Sequence, residues 1–341
     1  MRQQRSLQYW LNVQTFGEAS GPVNDNTRRA YLAANKDFAA FCRGKGIRSP
    51  ERLQEAPVEA LQAYSNFLQK KGYSPATIHS RLAGPCRALG VAMGQIEKPK
   101  RGADSITRSR DVDRPGRDRD AADRANPQFS RLVDFQTAAG LRRAEIGRLK
   151  GCDLCLDESG QLSVFVGRGK GGKIQFQRIL PDDVEAVRKI FENVEPDQLV
   201  FDRREMSNHI DLHGLRAEAA RRAYSYYSNR LQVDPDFRKT LIRELVARYE
   251  KIHGLTGLRP DQRTPEAVQA LPEASSKKKA VDWVRAVLRV GDGAYRLRGE
   301  VLEKAKAVGR PIVYDRLALL AVSVFHLSHW RLDVTVVNYL A

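Results

Sequence analysis

The sequence predicts a mainly α-helical protein with a small β-hairpin or sheet, made of a helical N-terminal domain and a larger α+β domain. Apolar residues recur at helical spacing across residues 31–82 and in most segments after residue 181. Residues 161–180 instead alternate apolar and polar side chains around a glycine-rich turn, which is typical of a hairpin. The 341 residues suffice for two or three domains, each with its own core.

Helices are expected throughout residues 1–97. A first helix is predicted from about Leu7 to Phe16, and a second carries an apolar stripe that includes Phe38 and Phe41. Pro57 can occupy the first turn of a third helix, where a proline costs no hydrogen bond, and Ser74-Pro75 opens a fourth. This region is therefore predicted to be a helical domain.

Residues 98–127 are predicted to be a linker. Lys98 to Gly102 is basic, and Arg108 to Arg124 alternates arginine with aspartate. Almost no apolar residue interrupts this stretch, so it cannot fold around a core of its own. A basic tether that contacts a polyanion and a solvated spacer with compensated charges both fit this composition.

The second domain is predicted to span residues 128–341. Helices are expected from Phe129 to Gly140 and at about 181–194, and the apolar stretch 311–327 is expected to be core. Residues 229–309 contain further helical patterns but none of the functional motifs described below. We interpret them as an inserted, mainly helical subdomain that projects from the domain.

The chain is strongly basic, with 58 Lys and Arg against 41 Asp and Glu and a net charge of +17. Such a surplus favours a polyanionic partner, because each neutralised phosphate releases a condensed counterion. The sequence has no long apolar run and no apolar signal core after Met1, which predicts a cytoplasmic protein without membrane association. Of the four cysteines only Cys152 and Cys155 are close in sequence, which predicts reduced thiols and no metal site.

Six side chains suited to phosphodiester chemistry follow one another along the chain: Arg142, Lys170, His213, Arg216, His329 and Tyr339. Arginines can hold both non-bridging oxygens of a phosphate as charge builds in the transition state. A lysine or histidine can protonate a leaving oxygen, and a histidine can take the proton of a phenol. The tyrosine can then carry the phosphate as a covalent ester.

The motifs around these residues resemble those of the tyrosine recombinases, the phage-integrase family that cuts and rejoins DNA. The family's first box, Thr-Gly-Leu-Arg-x-x-Glu-Leu, is matched by Ala139 to Ile146, and its Gly-Lys-Gly-x-Lys turn by Gly169 to Lys173. Its second box, His-x-Leu-Arg, is matched by His213 to Arg216, and its third box, Leu-Gly-His, by Leu327 to His329, followed by Tyr339. Each motif is weak alone, whereas all four in this order form a strong signal.

Two features depart from the family pattern. Ser328 replaces the glycine before the third-box histidine, and ten positions separate His329 from Tyr339, one more than the common family spacing. His326 is a rival for the third-box role. Because it lies farther from Tyr339 in the sequence, we prefer His329.

The resemblance implies a core-binding domain with a SAM-like helical fold in residues 1–97 and an α+β catalytic domain in residues 128–341. It also implies that DNA is cleaved and rejoined through a 3′-phosphotyrosyl intermediate, in a site-specific recombinase or integrase of a phage or other mobile element. The implied partners are double-stranded DNA, a homotetramer on two DNA sites and accessory DNA-bending proteins. The implied location is the nucleoid, and no metal or other cofactor is required.

The resemblance assigns a role to each site residue. Arg142 and Arg216 would clamp the scissile phosphate, while Lys170 would protonate the leaving oxygen. His213 would serve as acid and base, and His329 would donate a hydrogen bond to the phosphate. Tyr339 would be the nucleophile, and Glu145 would orient Arg142.

Basic residues of the N-terminal part and linker are candidates for contact with the DNA backbone: Lys70, Arg81, Arg87, Lys98, Lys100 and Arg101. For any one of them, solvated surface is an alternative. Two alternatives also remain for the whole chain. One is a type IB topoisomerase or resolvase, which uses the same chemistry; the other is a catalytically inactive architectural DNA-binding protein.

Overall fold

The computed structural model describes residues 6–17, 21, 23–100, 117–253, 264–265, 277–288 and 293–340. The chain divides into two compact units, Met1–Thr107 and Arg108–Ala341, here called unit 1 and unit 2. Helices dominate and the strands form two small antiparallel sheets, which confirms the predicted fold class. Among the described helices, none combines the length and apolar character needed to cross a membrane. The domain bounds drawn from the sequence stay predictions.

Unit 1 is helical, with α1 (Leu7–Thr15), α2 (Asp25–Gly44), α3 (Pro50–Glu55), α4 (Pro57–Lys70) and α5 (Pro75–Leu89). Side chains cap several of these helices at their first residues. The hydroxyl of Ser6 accepts from the Tyr9 amide, and the Asn24 side chain accepts from the Thr27 amide. Such caps satisfy amides that the first turn leaves without partners.

Helices α2 and α5 pack closely because Gly84 has no side chain. A Cβ at this position would lie 2.8 Å from Oδ1 of Asn35 and 2.9 Å from the carbonyl oxygen of Tyr31. The Asn35 amide nitrogen in turn donates to Oγ1 of Thr15 at 2.9 Å, which ties α1 to the same contact. A buried polar contact thus accompanies the apolar core of unit 1.

Unit 2 contains ten helices in its described part: α6 (Arg117–Ala125), α7 (Ser130–Ala139), α8 (Arg143–Ile146), α9 (Val184–Phe191), α10 (Leu212–Val233), α11 (Phe237–His253), α12 (Lys277–Leu288), α13 (Gly299–Ala307), α14 (Arg316–Ala321) and α15 (Leu332–Thr335). Two π-helical turns, Val322–His326 and Val336–Leu340, continue α14 and α15. Helix α6 falls in the predicted linker. Polar contacts hold it, since Asp120 accepts from the Asp211 amide at 2.7 Å.

Two sheets complete unit 2. Strands β1 (Leu154–Leu156), β2 (Leu162–Val166) and β3 (Gln175–Arg178) form one antiparallel sheet in chain order. Strands β4 (Ala294–Arg296) and β5 (Val313–Asp315) form the second. The predicted hairpin is the β2–β3 pair, in which Phe165 faces Phe176. Every residue of β2 and β3 is buried, so this hairpin is part of the core.

Helix α11 is built into the core of unit 2 by a buried cluster of charges. This charge cluster comprises Asp157, Glu158, Arg178, Glu244 and Arg248. Arg248 on α11 donates to Asp157 at 2.8 Å and to the Phe176 carbonyl at 2.8 Å. Burial alone would raise the pKa of Asp157, but Arg178 and Arg248 lower it below its ordinary value.

The charge cluster bears on the interpretation of residues 229–309. Helix α10 runs through position 229 without a break, and α11 places Leu241 and Leu245 fully inside the unit. The guanidinium of Arg248 also lies 5.0 Å from the ring centre of Phe325, in the first π-helical turn. At least the start of this segment therefore supports the core rather than projecting from it.

Replacing Arg248 should destabilise unit 2. In Arg248→Met the carboxylate of Asp157 keeps Arg178 and the amides of Ser159 and Gln161 but loses one of its two arginines, and the Phe176 carbonyl loses the Arg248 donor. We expect the free energy of unfolding of unit 2 to fall by about 3 kcal/mol, as is usual when one member of a buried ion pair is removed.

The matched control is Arg243→Met, at an exposed position of the same helix, which should change the free energy by less than about 0.5 kcal/mol. Urea unfolding should be followed by indole fluorescence in a Trp10→Phe background, because Trp283 and Trp330 both lie in unit 2. Equal unfolding midpoints for the two variants would show that the charge cluster is not stabilising.

Candidate active site

The first-box arginine is fixed by its own helix. Helix α7 ends at Gly140, whose φ of 60° is left-handed, and Arg142 then caps the short helix α8. The buried carboxylate of Glu145 accepts from the Arg142 amide at 2.8 Å and from its guanidinium at 2.7 Å. The Arg142 side chain stays 28% exposed. Glu145 therefore orients a guanidinium that a ligand can still reach.

Arg216 is completely buried, which is unusual for an arginine. Its guanidinium donates to the carbonyl of Gly140 and, at 2.9 Å, to the carbonyl of Leu327. Burial lowers the pKa of Arg216, and the nearby phenol of Tyr339 opposes this effect. Within the described residues, its Nε has no hydrogen-bond partner. Arg216 thus connects the first and third boxes by hydrogen bonds, and its Nε–H remains available to a further acceptor.

Two glutamines extend this link between motifs. The amide of Gln177 on β3 donates to the carbonyl of Ala139 at 2.7 Å and also to that of His326. The amide of Gln136 on α7 donates to the carbonyls of Leu141 at 2.7 Å and Leu212 at 2.5 Å. Leu141 and Leu212 immediately precede Arg142 and His213. Gln136 therefore ties together the backbone that carries both of these residues.

A run of three consecutive carbonyls is thus bound by three different side chains. We call Ala139, Gly140 and Leu141 the carbonyl run; their donors are Gln177, Arg216 and Gln136, respectively. Gly140 is required here because a Cβ would lie 3.0 Å from the Cβ of Ala219, and because its φ is positive. The carbonyl run is where β3, α7, α10 and the third box meet.

The third-box histidine sits in a sharply turned segment. The His329 amide donates to the Ser323 carbonyl at 3.2 Å, and its Nδ1 lies 3.4 Å from the Ser323 hydroxyl. Its Nε2 has no partner among the described residues and is buried. Burial, followed by the charges of Arg216 and Arg142, lowers the pKa of His329 to about 3. His329 is therefore a neutral ring in a strongly positive setting.

The rival histidine occupies a different environment. His326 is buried in the core, where its Nε2 lies 3.2 Å from the hydroxyl of Tyr227. Burial, followed by the charges of Arg178 and Arg248, lowers its pKa to about 3. The structure places His329, and not His326, against Tyr339.

Tyr339 lies beside three of the other predicted site residues. Its ring centre is 5.3 Å from that of His213 and 5.8 Å from that of His329, which stacks on it at 25°. The Arg216 guanidinium carbon is 5.7 Å from the same ring centre. His213 is exposed at the start of α10, whereas Tyr339 is 7% exposed in the second π-helical turn. Three side chains from two motifs thus surround one phenol.

Lys170 occupies the turn between β2 and β3. This turn lies against the first box, since a Cβ at Gly169 would be 3.3 Å from Oε1 of Glu145. The Gly169 amide donates to the Lys173 carbonyl at 2.7 Å, which closes the turn. The Lys170 side chain itself is exposed. The turn that carries Lys170 is therefore near the Arg142–Glu145 pair.

Three of the basic residues proposed to contact DNA from the N-terminal part make contacts within unit 1. Arg81 pairs with Asp37 at 2.6 Å, with its guanidinium 4.5 Å from the ring centre of Tyr73. Arg87 and Lys98 donate to backbone carbonyls of the unit. These side chains therefore have structural partners, and a role in binding DNA stays a prediction.

The other three candidates differ in what is described. Lys70 at the end of α4 and Lys100 are both exposed, as a contact with a phosphate would require. Arg101 lies outside the described residues. The surroundings of Lys70 and Lys100 do not indicate a role for either side chain.

Gln136, Gln177 and Ser323 were not identified from the sequence. Each supports a site residue without matching a motif of its own. Gln136 did carry one signal, because it falls on the apolar face of α7 beside Leu132 and Phe135, where a polar residue needs a buried partner. Gln177 sits in a strand that is buried throughout, which gives the same signal.

The arrangement suits the binding of an anion beside a phenol. Arg216 and His329 place a positive charge and an unpartnered ring nitrogen beside Tyr339, and the charge of Arg142 acts on both of these side chains. When Nδ1 of His329 accepts from Ser323, its Nε2 carries the proton and is a donor. Buried donors without partners are costly unless a ligand satisfies them. An oxyanion near the Tyr339 hydroxyl would do so.

No protein-family model and no curated protein matches the chain. Among solved structures, it is similar to the crystal structure of XerA recombinase, with 16% identity and a TM-score of 0.23 over 63% of this chain and 83% of that chain. It is also similar to the integrase from mycobacterium phage Brujita, with 17% identity and a TM-score of 0.21 over 82% and 97%. Both names agree with the family that the motifs resemble. TM-scores of this size do not establish a shared fold.

The buried histidines should make unit 2 sensitive to mild acid. The folded-state pKa of His326 is about 3, below the ordinary value of about 6.5, so the unfolded chain binds a proton that the folded unit does not. Stability that is complete above about pH 6.5 is therefore lost as the pH falls towards 3. By pH 5 each such histidine should cost about 2 kcal/mol.

The change from pH 7 to pH 5 separates this effect from the titration of most carboxylates. His326→Gln should lose about half of the pH dependence of the free energy of unfolding, since His329 contributes the rest. His209→Gln, at an exposed position of the same unit, should behave as the parent protein does. An unchanged pH dependence in His326→Gln would mean that His326 is charged in the folded unit.

Proposed function

We propose that the chain is a site-specific DNA recombinase that cleaves and rejoins double-stranded DNA through a 3′-phosphotyrosyl intermediate on Tyr339. One observation carries the proposal: His213 and Arg216 from the His-x-Leu-Arg box, and His329 from the third box, all lie within 5.8 Å of the Tyr339 ring centre, measured from ring centres and the guanidinium carbon. Packing alone would not require a guanidinium and two imidazoles around a phenol.

In the proposed reaction, the Tyr339 oxygen attacks the scissile phosphorus. The bond from phosphorus to the 5′ oxygen breaks as the bond to the phenol forms. His213 takes the phenolic proton, and Lys170 gives a proton to the leaving 5′ oxygen. A 5′ hydroxyl of another strand then attacks the ester, and the same groups act in reverse. The ester conserves the energy of the broken bond, so ATP is not required.

The arginines and His329 stabilise the charge on the phosphate. Arg142 approaches from the exposed side, held by Glu145. Arg216 donates to the carbonyls of Gly140 and Leu327, and its Nε–H, which has no partner among the described residues, is left for an oxyanion. Donors that are fixed before the reaction need no reorganisation as charge develops. The interior position of Arg216 is thus useful to this chemistry.

The proposal extends to the assembly on DNA. Joining strands from two duplexes requires two cleaved sites, so a homotetramer on two DNA sites, with or without accessory DNA-bending proteins, is the proposed working form. The net charge of +17 supports a long polyanion as the substrate. A phage or other mobile element is the proposed source of the DNA.

The central test is covalent capture by Tyr339. The probe is a pool of duplexes with randomised sequence, each nicked so that the short 5′-hydroxyl fragment diffuses away after cleavage. The parent protein should form an adduct that survives denaturing electrophoresis, with the nucleotide on Tyr339 by mass spectrometry. Tyr339→Phe should form none, because only the nucleophilic oxygen is lost.

Tyr226→Phe is the matched control, since Tyr226 is a partly buried tyrosine of the same unit, and it should retain the adduct. Binding of each variant to the same pool should be measured in parallel, and Tyr339→Phe should bind as the parent does. An adduct that persists in Tyr339→Phe at the parental level would refute the proposal. So would intact binding by the parent with no adduct on any sequence.

The role of Lys170 is tested on a captured sequence. Lys170→Ala should slow cleavage by about 100-fold, within the range for a general acid. Replacing the 5′ bridging oxygen by sulfur should restore most of this loss, because a thiolate leaves without a proton. Lys173→Ala, in the same turn and also exposed, should cleave both substrates nearly as the parent does. An equal defect of Lys170→Ala on both substrates would exclude the acid role.

A further inference from the structure

Three aromatic rings from separate elements of unit 2 meet beside the third box. They are Tyr249 on α11, Trp283 on α12 and Trp330, which directly follows His329. Tyr249 stacks on Trp283 with ring centres 5.0 Å apart. Trp330 contacts both edge-on, at 5.2 Å from Trp283 and 5.7 Å from Tyr249. We call these three residues the aromatic cluster.

The backbone around His329 is strained. Ser328 has a φ of 50° and Trp330 a φ of 59°, both in the left-handed region that residues other than glycine rarely occupy. For a side chain as large as that of Trp330 this conformation is a true outlier. Such a conformation persists only where surrounding contacts impose it. At Trp330, the aromatic cluster supplies those contacts.

The position of the His329 ring depends on this turn. Ser323 holds the amide and Nδ1 of His329 from one side. The ring also stacks on Tyr339. These contacts fix the ring only if the chain on its C-terminal side is also held, and Trp330 is the first residue on that side.

Helix α12 is placed to provide this support. Ala280 and Val284 on this helix are completely or almost completely buried, and Trp283 lies next to Val284. Helix α11, which carries Tyr249, is itself anchored in the core by Arg248. The aromatic cluster therefore transmits the position of α11 and α12 to the residue after His329.

We propose that Tyr249, Trp283 and Trp330 are positioning residues, through which α11 and α12 hold the His329 ring against Tyr339. The expected effect on catalysis rests on the proposed function, whereas the expected effect on the position of the His329 ring does not. This gives part of the segment 229–309 a role at the active site. In this role the aromatic rings act through the backbone of His329.

Trp283→Leu is the main test, because it removes one ring from the cluster without altering the strained turn itself. It should slow adduct formation on a captured nicked duplex by about 10-fold or more, since small displacements of reacting groups are costly. Trp283→Phe, which keeps a ring, should recover most of the rate. Binding to the same duplex should match that of the parent protein for both variants.

A double-mutant cycle distinguishes positioning from general stability. If the aromatic cluster acts through His329, Trp283→Leu should cause little further loss of rate in a His329→Ala background. The same fold-loss in both backgrounds would show that the cluster stabilises unit 2 without positioning His329. Trp330→Leu provides a second variant, expected to follow the same pattern.

A second measurement does not depend on DNA cleavage. The His329 imidazole can be followed by NMR in histidine-labelled protein and assigned from its absence in His329→Ala. In Trp283→Leu and Trp330→Leu its titration midpoint should rise from about 3 towards the ordinary range, as the ring loses its buried position. Trp10→Phe, in unit 1, should leave it unchanged.

The two measurements separate the inference from the function. If the parent forms no adduct but the His329 midpoint rises in both variants, the positioning role stands and the recombinase proposal fails. If the parent forms an adduct while the midpoint and the rate are unchanged in both variants, the positioning inference is overturned. An unfolded Trp330→Leu leaves Trp283→Leu to decide between these results.

Discussion

The fully buried guanidinium of Arg216, which donates to the carbonyls of Gly140 and Leu327, is the contact on which the candidate site depends. A buried cation is costly unless hydrogen bonds and opposite charges compensate it. Two carbonyl dipoles compensate only part of this cost, and the lowered pKa of Arg216 reflects the remainder. An anion beside Tyr339 would supply the missing charge. The cost of burying Arg216 and the proposed affinity of the site for phosphate thus have one physical cause.

The same contact explains why motifs far apart in sequence converge. Gln177, Arg216 and Gln136 bind the successive carbonyls of the carbonyl run, and Gln177 and Arg216 also bind the carbonyls of His326 and Leu327. Each donor is in a different element, so no element can shift without breaking a buried hydrogen bond. Such bonds are directional and expensive to leave unmade, which gives them more control over geometry than apolar packing has. The ion pairs of the charge cluster restrict the position of α11 in the same way.

The sequence allowed the fold class, the β2–β3 hairpin and the elements that carry the site residues to be predicted, because periodicity and glycine placement are local properties. It could not reveal how Gln136 and Gln177 are used, since their partners are backbone carbonyls that any residue provides. The projection of residues 229–309 was inferred from sequence distance alone. The contacts of Arg248 with Asp157 and Glu158, about ninety positions earlier in the sequence, instead anchor α11 in the core. The intramolecular contacts of Arg81 and Arg87 were likewise invisible, because a basic residue has the same sequence signature in an ion pair and on DNA.

Ser328 shows how a departure from a motif can be accommodated. The family motif has glycine before the third-box histidine, and the φ of 50° at Ser328 gives the physical reason, since glycine alone adopts this conformation without cost. A serine here makes the turn less stable, and Trp330 adds a second left-handed residue two positions later. A turn with that much strain would relax if only Ser323 held it. The contacts of Trp330 with Tyr249 and Trp283 offset the strain. Helices α11 and α12, which carry none of the motifs, thus stabilise a turn in which Ser328 replaces the glycine of the family motif.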